Sequence, residues 1–204
     1  MLKTCLVTLS LLLSAAGLSL ADSVYQVSVN TSSLAGTTGS IDFQFNFGTG
    51  ESQAASVTIY NLSGGSNGTA TPTGDVSGGP FPNPVTIGNG YPSSGYNDYF
   101  ESYTFGNTLN FDLDFGGPAV TAPDGFSSGN SEFYFSMFTD QNGIDRAPGT
   151  DSNGVAGTIT VNPNGSFTLT AVSPNLNFVP EPASVCLTLT AGAMLLGATV
   201  RRRR

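Results

Sequence analysis

The stretch "SIDFQFNF" at residues 40–47 alternates apolar and polar side chains one by one, and "TLNFDLDF" at residues 108–115 does the same. Successive side chains of a β-strand point to opposite faces of a sheet, so this period of two predicts strands with one face in the core. The residues predicted to face the core are Ile41, Phe43, Phe45, Phe47, Leu109, Phe111, Leu113 and Phe115. Those predicted to face water are Asp42, Gln44, Asn46, Asn110, Asp112 and Asp114.

Shorter runs of the same kind fill the rest of the central part of the chain. In "GTITVNPNGSFTLTAV", residues 157–172, two β-branched runs flank Asn164-Gly165, which favours the positive φ angles of a tight hairpin turn. About eight or nine such strands, separated by Gly, Asn and Pro, predict an all-β fold, an antiparallel β-sandwich or jelly roll, over residues 22–172. The Gly-, Pro- and Ser-rich residues 63–95 are predicted to form a surface loop with one short strand at 84–87.

The charge and the residue inventory of this body exclude several functions. Arg146 is the only basic residue between Asp22 and Pro182, which contain all fourteen acidic residues, so the formal charge of that stretch is −13. Nucleic-acid binding is excluded, because no basic patch could release phosphate counterions. The body also lacks His, Lys and Cys, which removes the usual nucleophile–base pairs and zinc sites. We therefore expect no catalytic activity and no required cofactor.

Residues 1–21 have the order of a secretory signal peptide. Lys3 supplies the positive n-region, an apolar h-region follows at residues 6–20, and Ser19-Leu20-Ala21 places small residues at a cleavage site. The sequence predicts cleavage after Ala21 and export of the body. Cys5 and Cys186 lie outside that body, so it can form no disulfide.

The end of the chain combines three features in a fixed order. Residues 173–182 form a polar linker that ends in Val179-Pro180-Glu181-Pro182, where the prolines keep the backbone extended. Residues 183–200 carry no charge, and as a helix they would span ~27 Å, enough to cross the hydrocarbon layer once. The four arginines that follow would stay in the cytoplasm and fix the topology: Arg201, Arg202, Arg203 and Arg204.

This ending resembles the PEP-CTERM sorting signal of Gram-negative bacteria. In that family an intramembrane protease/transpeptidase, exosortase, recognises the tail. The resemblance implies that exosortase is a partner, that the chain is held only transiently in the inner membrane with its body in the periplasm, and that it is cleaved near Pro180-Glu181-Pro182. A plain permanent membrane anchor is the alternative interpretation of the same tail.

The body is similar to one group of small all-β PEP-CTERM proteins. The matching stretches are "GSIDFQFNFG", "GDVSGG", "YNDYFESYTFGNTLNFDLDF", "FYFSMFTDQNG" and "ITVNPNGSFTL". That group has no assigned activity, so the likeness implies architecture and no chemistry. The family's association with exopolysaccharide and biofilm implies a protein of the cell surface or extracellular matrix.

Three alternatives place a specific site in the body. The first is a calcium site, because "DQNGID" and "DSNG" offer oxygen ligands around turns, at Asp140, Asn142, Asp145 and Asp151. The same residue types also form ordinary turns. The second is a carbohydrate-binding or adhesion module that stacks sugars on the rings of Tyr91, Tyr96, Tyr99 and Tyr103. The third is a glycosidase that uses the neighbouring carboxylates Asp112 and Asp114.

Overall fold

The computed structural model describes residues 23–48, 50–90 and 95–181. The predicted signal peptide with its cleavage site at Ala21, the predicted membrane helix at 183–200, Pro182 and the four terminal arginines all lie outside these residues. The described part is built from antiparallel strands, which confirms the all-β prediction. Its only helical segments are a 3-10 helix, Ser32–Leu34, and a single turn of α-helix, α1, at Pro118–Thr121.

Ten strands follow one another along the described chain. Their bounds are β1 Val24–Asn30, β2 Thr38–Phe47, β3 Ser56–Thr73, β4 Val76–Gly78, β5 Val85–Gly88, β6 Asp98–Gly116, β7 Ser131–Phe138, β8 Val155–Val161, β9 Phe167–Ala171 and β10 Leu176–Pro180. Strands β8 and β9 form the hairpin predicted around Asn164-Gly165.

Strand β6 connects two halves of the sheet because it changes neighbours along its length. Residues 98–104 of β6 pair with β2, and β2 continues the sheet through β7, β8 and β9. Residues 108–114 of β6 pair instead with β1, whose other neighbour is β10. On its other side, β6 pairs with β3 over both parts. Each half of the sheet therefore carries its own set of inward-facing residues.

Phenylalanine rings from the two halves meet in the core. Phe43 of β2 lies 5.1 Å from Phe111, in the second part of β6, measured between ring centroids. Phe111 lies 4.9 Å from Phe135 of β7, and Phe45 contacts Phe115. The rings cross at steep or tilted angles, which is a favourable geometry for aromatic pairs. The alternation in β2 and β6 is confirmed, although Phe47 is only partly buried.

The pairing register of the two long strands shifts between Tyr60 and Gly65 of β3, at the corner between the two parts of β6. Asn61 and Gly64 adopt positive φ angles of 56° and 94° there. A Cβ atom on Gly64 would lie 1.7 Å from the carbonyl oxygen of Thr108, and one on Gly106 would lie 2.1 Å from that of Gly64. The close approach of the two backbones at this corner therefore requires glycine on both strands.

Two segments differ from the sequence prediction. Residues 63–73, predicted as loop, continue β3 and pair with β6; β4 and β5 follow. Most of that continuation is exposed, so no apolar alternation marks it in the sequence. In the predicted linker at 173–182, residues Leu176–Pro180 form β10 and pair with β1. The folded body therefore extends to the predicted sorting motif itself.

Candidate functional site

The predicted sorting motif lies in the last strand and is hydrogen-bonded to the first. Tyr25 is paired with Pro180 and Gln26 with Val179. The backbone N–H of Glu181 donates to the carbonyl oxygen of Val24 at 3.0 Å. The side-chain amide of Gln26 donates to the Glu181 carboxylate at 3.1 Å. Three motif residues are thus held by β1, while Pro182 lies beyond the described residues.

Glu181 shares an acidic surface with two carboxylates of β6. Gln26 lies opposite Asp112, and Val24 lies opposite Asp114, on the outer face of this part of the sheet. Partial burial and the nearby Glu181 carboxylate raise the pKa of Asp114. Partial burial and the charges of Asp112, Glu181 and Asp114 also raise the pKa of the neighbouring Tyr60. The end of β10 is therefore held by hydrogen bonds in a region of like charge.

The same outer face contains the predicted glycosidase pair. The carboxylate of Asp112 accepts a hydrogen bond of 2.6 Å from the side-chain amide of Asn61. Asp114 is exposed. Both positions follow the alternation of β6 and belong to its water-facing side, which is the ordinary place for carboxylates on an amphipathic strand.

The loop between β7 and β8 contains the four predicted calcium ligands, Asp140, Asn142, Asp145 and Asp151. The Asp140 carboxylate accepts hydrogen bonds from the backbone amides of Asn142, Ile144 and Asp145. These bonds, led by the Asp145 amide, lower the pKa of Asp140. The Asp151 carboxylate accepts hydrogen bonds from the backbone amides of Asn153 and Val155. In the described ranges no three Asp, Glu, His or Cys residues are grouped to hold a metal ion. The hydrogen bonds of Asp140 and Asp151 are those of ordinary turns, and the calcium site stays a prediction.

The predicted sugar-stacking tyrosines do not form one surface. Tyr96 is 45% exposed, whereas Tyr99 and Tyr103 are 2% and 1% exposed. Tyr99 packs against Phe81, and Tyr103 packs against Phe105. Their ring faces are covered by the core, so the stacking prediction is wrong for these two residues. Tyr91 lies outside the described residues.

A carboxyl group that the sequence analysis did not single out lies between those two tyrosines. Glu101 is fully buried, and the Tyr99 hydroxyl donates to it at 3.0 Å. Its second oxygen and the Tyr103 hydroxyl have no hydrogen-bond partner among the described residues. Burial raises the pKa of Glu101, and burial beside Glu101 raises the pKa of Tyr103 to about 12. The signal for this site was present in the sequence, as a glutamate at an inward-facing position of β6.

Asp42 was predicted to face water, and this prediction is wrong: its side chain is 7% exposed. Its carboxyl group lies within hydrogen-bonding distance of Asp98, which is diagonal to it across the β2–β6 pair. Gln44 donates to Asp42 at 2.8 Å. Burial, the hydrogen bond with Asp42 and the charge of Asp42 raise the pKa of Asp98 to about 9. One proton shared by the two carboxyl groups is the state that this geometry favours at neutral pH.

Substitution of Asp98 by asparagine should therefore increase stability at alkaline pH. Between the ordinary value of 3.8 and about 9, folded Asp98 retains a proton that the unfolded chain has released, so the free energy of unfolding falls as pH rises. An asparagine side chain at this position has no such proton to lose, and its amide can donate to Asp42. We expect Asp98→Asn to be more stable by about 1 kcal/mol at pH 8, with a flatter pH profile, in urea unfolding.

A matched control for this measurement is Asp124→Asn. Asp124 lies in an exposed turn, where backbone hydrogen bonds to Ser127 and Phe126 lower its pKa. The contribution of the Asp124 carboxylate to stability is lost only as the pH falls. Asp124→Asn should therefore leave the pH dependence of the free energy of unfolding between about pH 5 and pH 8 unchanged. An Asp98→Asn profile as steep as that of the wild type would contradict the shared proton.

No family model, curated protein or solved structure matches the chain. In residues 23–48, 50–90 and 95–181, no helix reaches the length and apolarity needed to cross a membrane. The position of the motif at the end of β10 and the residue inventory of the body are thus the observations from which a function can be inferred.

Proposed function

We propose that this chain is an exported β-sandwich protein without catalytic activity, which exosortase cleaves at Val179-Pro180-Glu181-Pro182 and which then remains at the cell surface or in the extracellular matrix. Before cleavage, the apolar residues 183–200 would hold it in the inner membrane with its body in the periplasm. The associated material would be exopolysaccharide, as the resemblance to PEP-CTERM proteins implies.

The observation that carries this proposal is the order of the tail, in which Pro-Glu-Pro begins at the end of the last strand and is followed by eighteen uncharged residues and four arginines. The fold is compatible with that order. Since β1 and β10 are antiparallel neighbours, Val24 and Glu181 lie side by side. The described residues next to the predicted signal peptide and the predicted membrane helix therefore lie side by side, which suits two segments that enter the same membrane.

The sandwich assignment and the absence of catalysis have separate support. The ring contacts between β2 or β7 and the second part of β6 are those expected when two sheet halves pack face to face. The body has no His, Lys or Cys, and its carboxylates lie on an open strand face, in turns or inside the core. This distribution suits a structural protein better than an enzyme.

The sorting step can be tested with Glu181→Ala in the native host. We expect wild-type protein outside the inner membrane in a shortened form, and the variant to accumulate at full length in the membrane. Processing should fall by at least about tenfold, because a site that binds a polar substrate group discriminates against an analogue lacking it. Glu51→Ala, which removes an exposed carboxylate elsewhere on the body, is the control. Equal processing of Glu181→Ala and wild type would refute the proposal.

A further inference from the structure

We propose, on the basis of the function proposed above, that β10 is a releasable strand that shields the processing motif until it separates from β1. The backbone of Val179, Pro180 and Glu181 is paired with β1 in the folded body. Proteases bind the segment they cut as an extended chain with its own backbone groups available. Cleavage within the motif therefore requires that the end of β10 first detach.

Contacts on both faces hold β10 in place. Leu176 is 6% exposed and belongs to the core, while Phe178 packs against it from a partly buried position. Both side chains lie close to the backbone of Gly157 in β8, where a Cβ atom would lie 2.8 Å from the Phe178 ring. On the outer face, Gln26 binds the Glu181 carboxylate. The first half of β10 is thus anchored by apolar packing and its end by polar contacts.

The end of the strand is the weaker part. Strand β10 has five residues, and among the described strands it is hydrogen-bonded to one neighbour, β1. Pro180 has no N–H group to donate, and the charge of the Glu181 carboxylate acts on that of Asp114. Edge strands and chain ends open at much lower free-energy cost than core strands. Opening should therefore begin at Glu181 and proceed toward Phe178, which exposes the motif while the rest of the body stays folded.

Chymotrypsin digestion of the full-length protein in detergent tests this order of opening without the sorting enzyme. The bond after Phe178 lies inside β10, and the bond after Phe126, whose side chain is 93% exposed, is an internal reference. In wild type we expect cleavage after Phe126 to be at least about tenfold faster than after Phe178. Equal rates in the wild type would overturn the proposal.

Gln26→Glu should release the strand. It replaces the hydrogen bond to Glu181 with a third carboxylate beside Glu181 and Asp112, so cleavage after Phe178 should accelerate about fivefold. Ser28→Glu is the matched control, because it adds the same charge to the same face of β1 but lies opposite Asn110 and Asn177. Buried sites such as Phe111 must stay uncut, which separates strand release from global unfolding. Similar cleavage of the two variants after Phe178 would refute the role of the Glu181 contact.

Processing in the host supplies the second readout. Gln26→Glu should be shortened faster than Ser28→Glu in a pulse-chase measurement, since its motif is unpaired for more of the time. A tail that is retained in every variant would refute the proposed function, and the chymotrypsin rates would still decide whether β10 shields the motif. Faster digestion of Gln26→Glu combined with equal processing of both variants would show that strand release does not limit cleavage, which overturns the inference alone.

Discussion

Phe43→Ala is expected to lower the free energy of unfolding by about 3–5 kcal/mol, the range for a fully buried phenylalanine whose removal leaves a cavity. Phe43 has no exposed surface, and its ring lies 5.1 Å from Phe111 and 5.3 Å from Phe135, measured between centroids. It also contacts Phe81 and Phe133. These rings belong to β6, to β7 and to the segment between β4 and β5, so the cavity cannot close by the shift of one side chain.

The matched control for this prediction is Phe126→Ala. The same atoms are removed from a side chain that is 93% exposed, so the free energy of unfolding should change by less than about 0.5 kcal/mol. Urea unfolding followed by tyrosine fluorescence measures both. A loss below about 1 kcal/mol for Phe43→Ala would show that the two sheet halves do not pack through this ring cluster.

Gly64→Ala is expected to cost about 2–5 kcal/mol, the sum of a backbone term and a steric term. Gly64 has a φ angle of 94°, which is unfavourable for a residue with a side chain. The new Cβ atom would also lie 1.7 Å from the carbonyl oxygen of Thr108. To relieve that overlap, β3 and β6 must separate at the corner where they pass from one half of the sheet to the other.

Gly36→Ala is the control that separates the backbone part of that effect from the steric part. Gly36 has a φ angle of 81°, but no atom lies within 4 Å of the position where a Cβ would stand. Gly36→Ala should lower the free energy of unfolding by the backbone term alone, about 1–2 kcal/mol. Thermal or urea unfolding of both variants gives the difference. If the two substitutions cost the same, the close contact between β3 and β6 at the corner is not required for stability.

The sequence was sufficient for the strands whose two faces have different surroundings. The alternation of Phe43 and Phe45 with polar residues predicted both the type and the inward face of β2, because one side of that strand is core. Residues 63–73 escaped prediction for the opposite reason: both faces of that part of β3 are largely exposed, so its pairing with β6 leaves no hydrophobic period.

Polar side chains were predictable by position but not by environment. Tyr99, Glu101 and Tyr103 alternate as inward-facing residues should, yet their clustering suggested an exposed aromatic surface. Asp42 occupies the outer face of β2 as expected, but its burial beside Asp98 depends on residues more than fifty positions away. Burial of a carboxyl group by distant neighbours cannot be inferred from a period of two.

The end of the body shows a third kind of limit. The prolines of the tail predicted an extended backbone near residue 180, and the chain there is extended. Pairing with β1, however, joins residues that are 155 positions apart, such as Gln26 and Glu181. A segment that looks like a linker by composition can complete a sheet when a distant strand offers it an edge.

The intact mass of the protein released from the native host is the most direct measurement of C-terminal processing. We predict a chain that begins after Ala21 and ends within residues 179–182, so that its mass lacks the apolar residues 183–200 and all four terminal arginines. Tandem mass spectrometry of the last peptide would locate the new end relative to Glu181. A released or membrane-bound protein whose mass still includes Ala183 through Arg204, with no shorter form present, would contradict the proposed sorting.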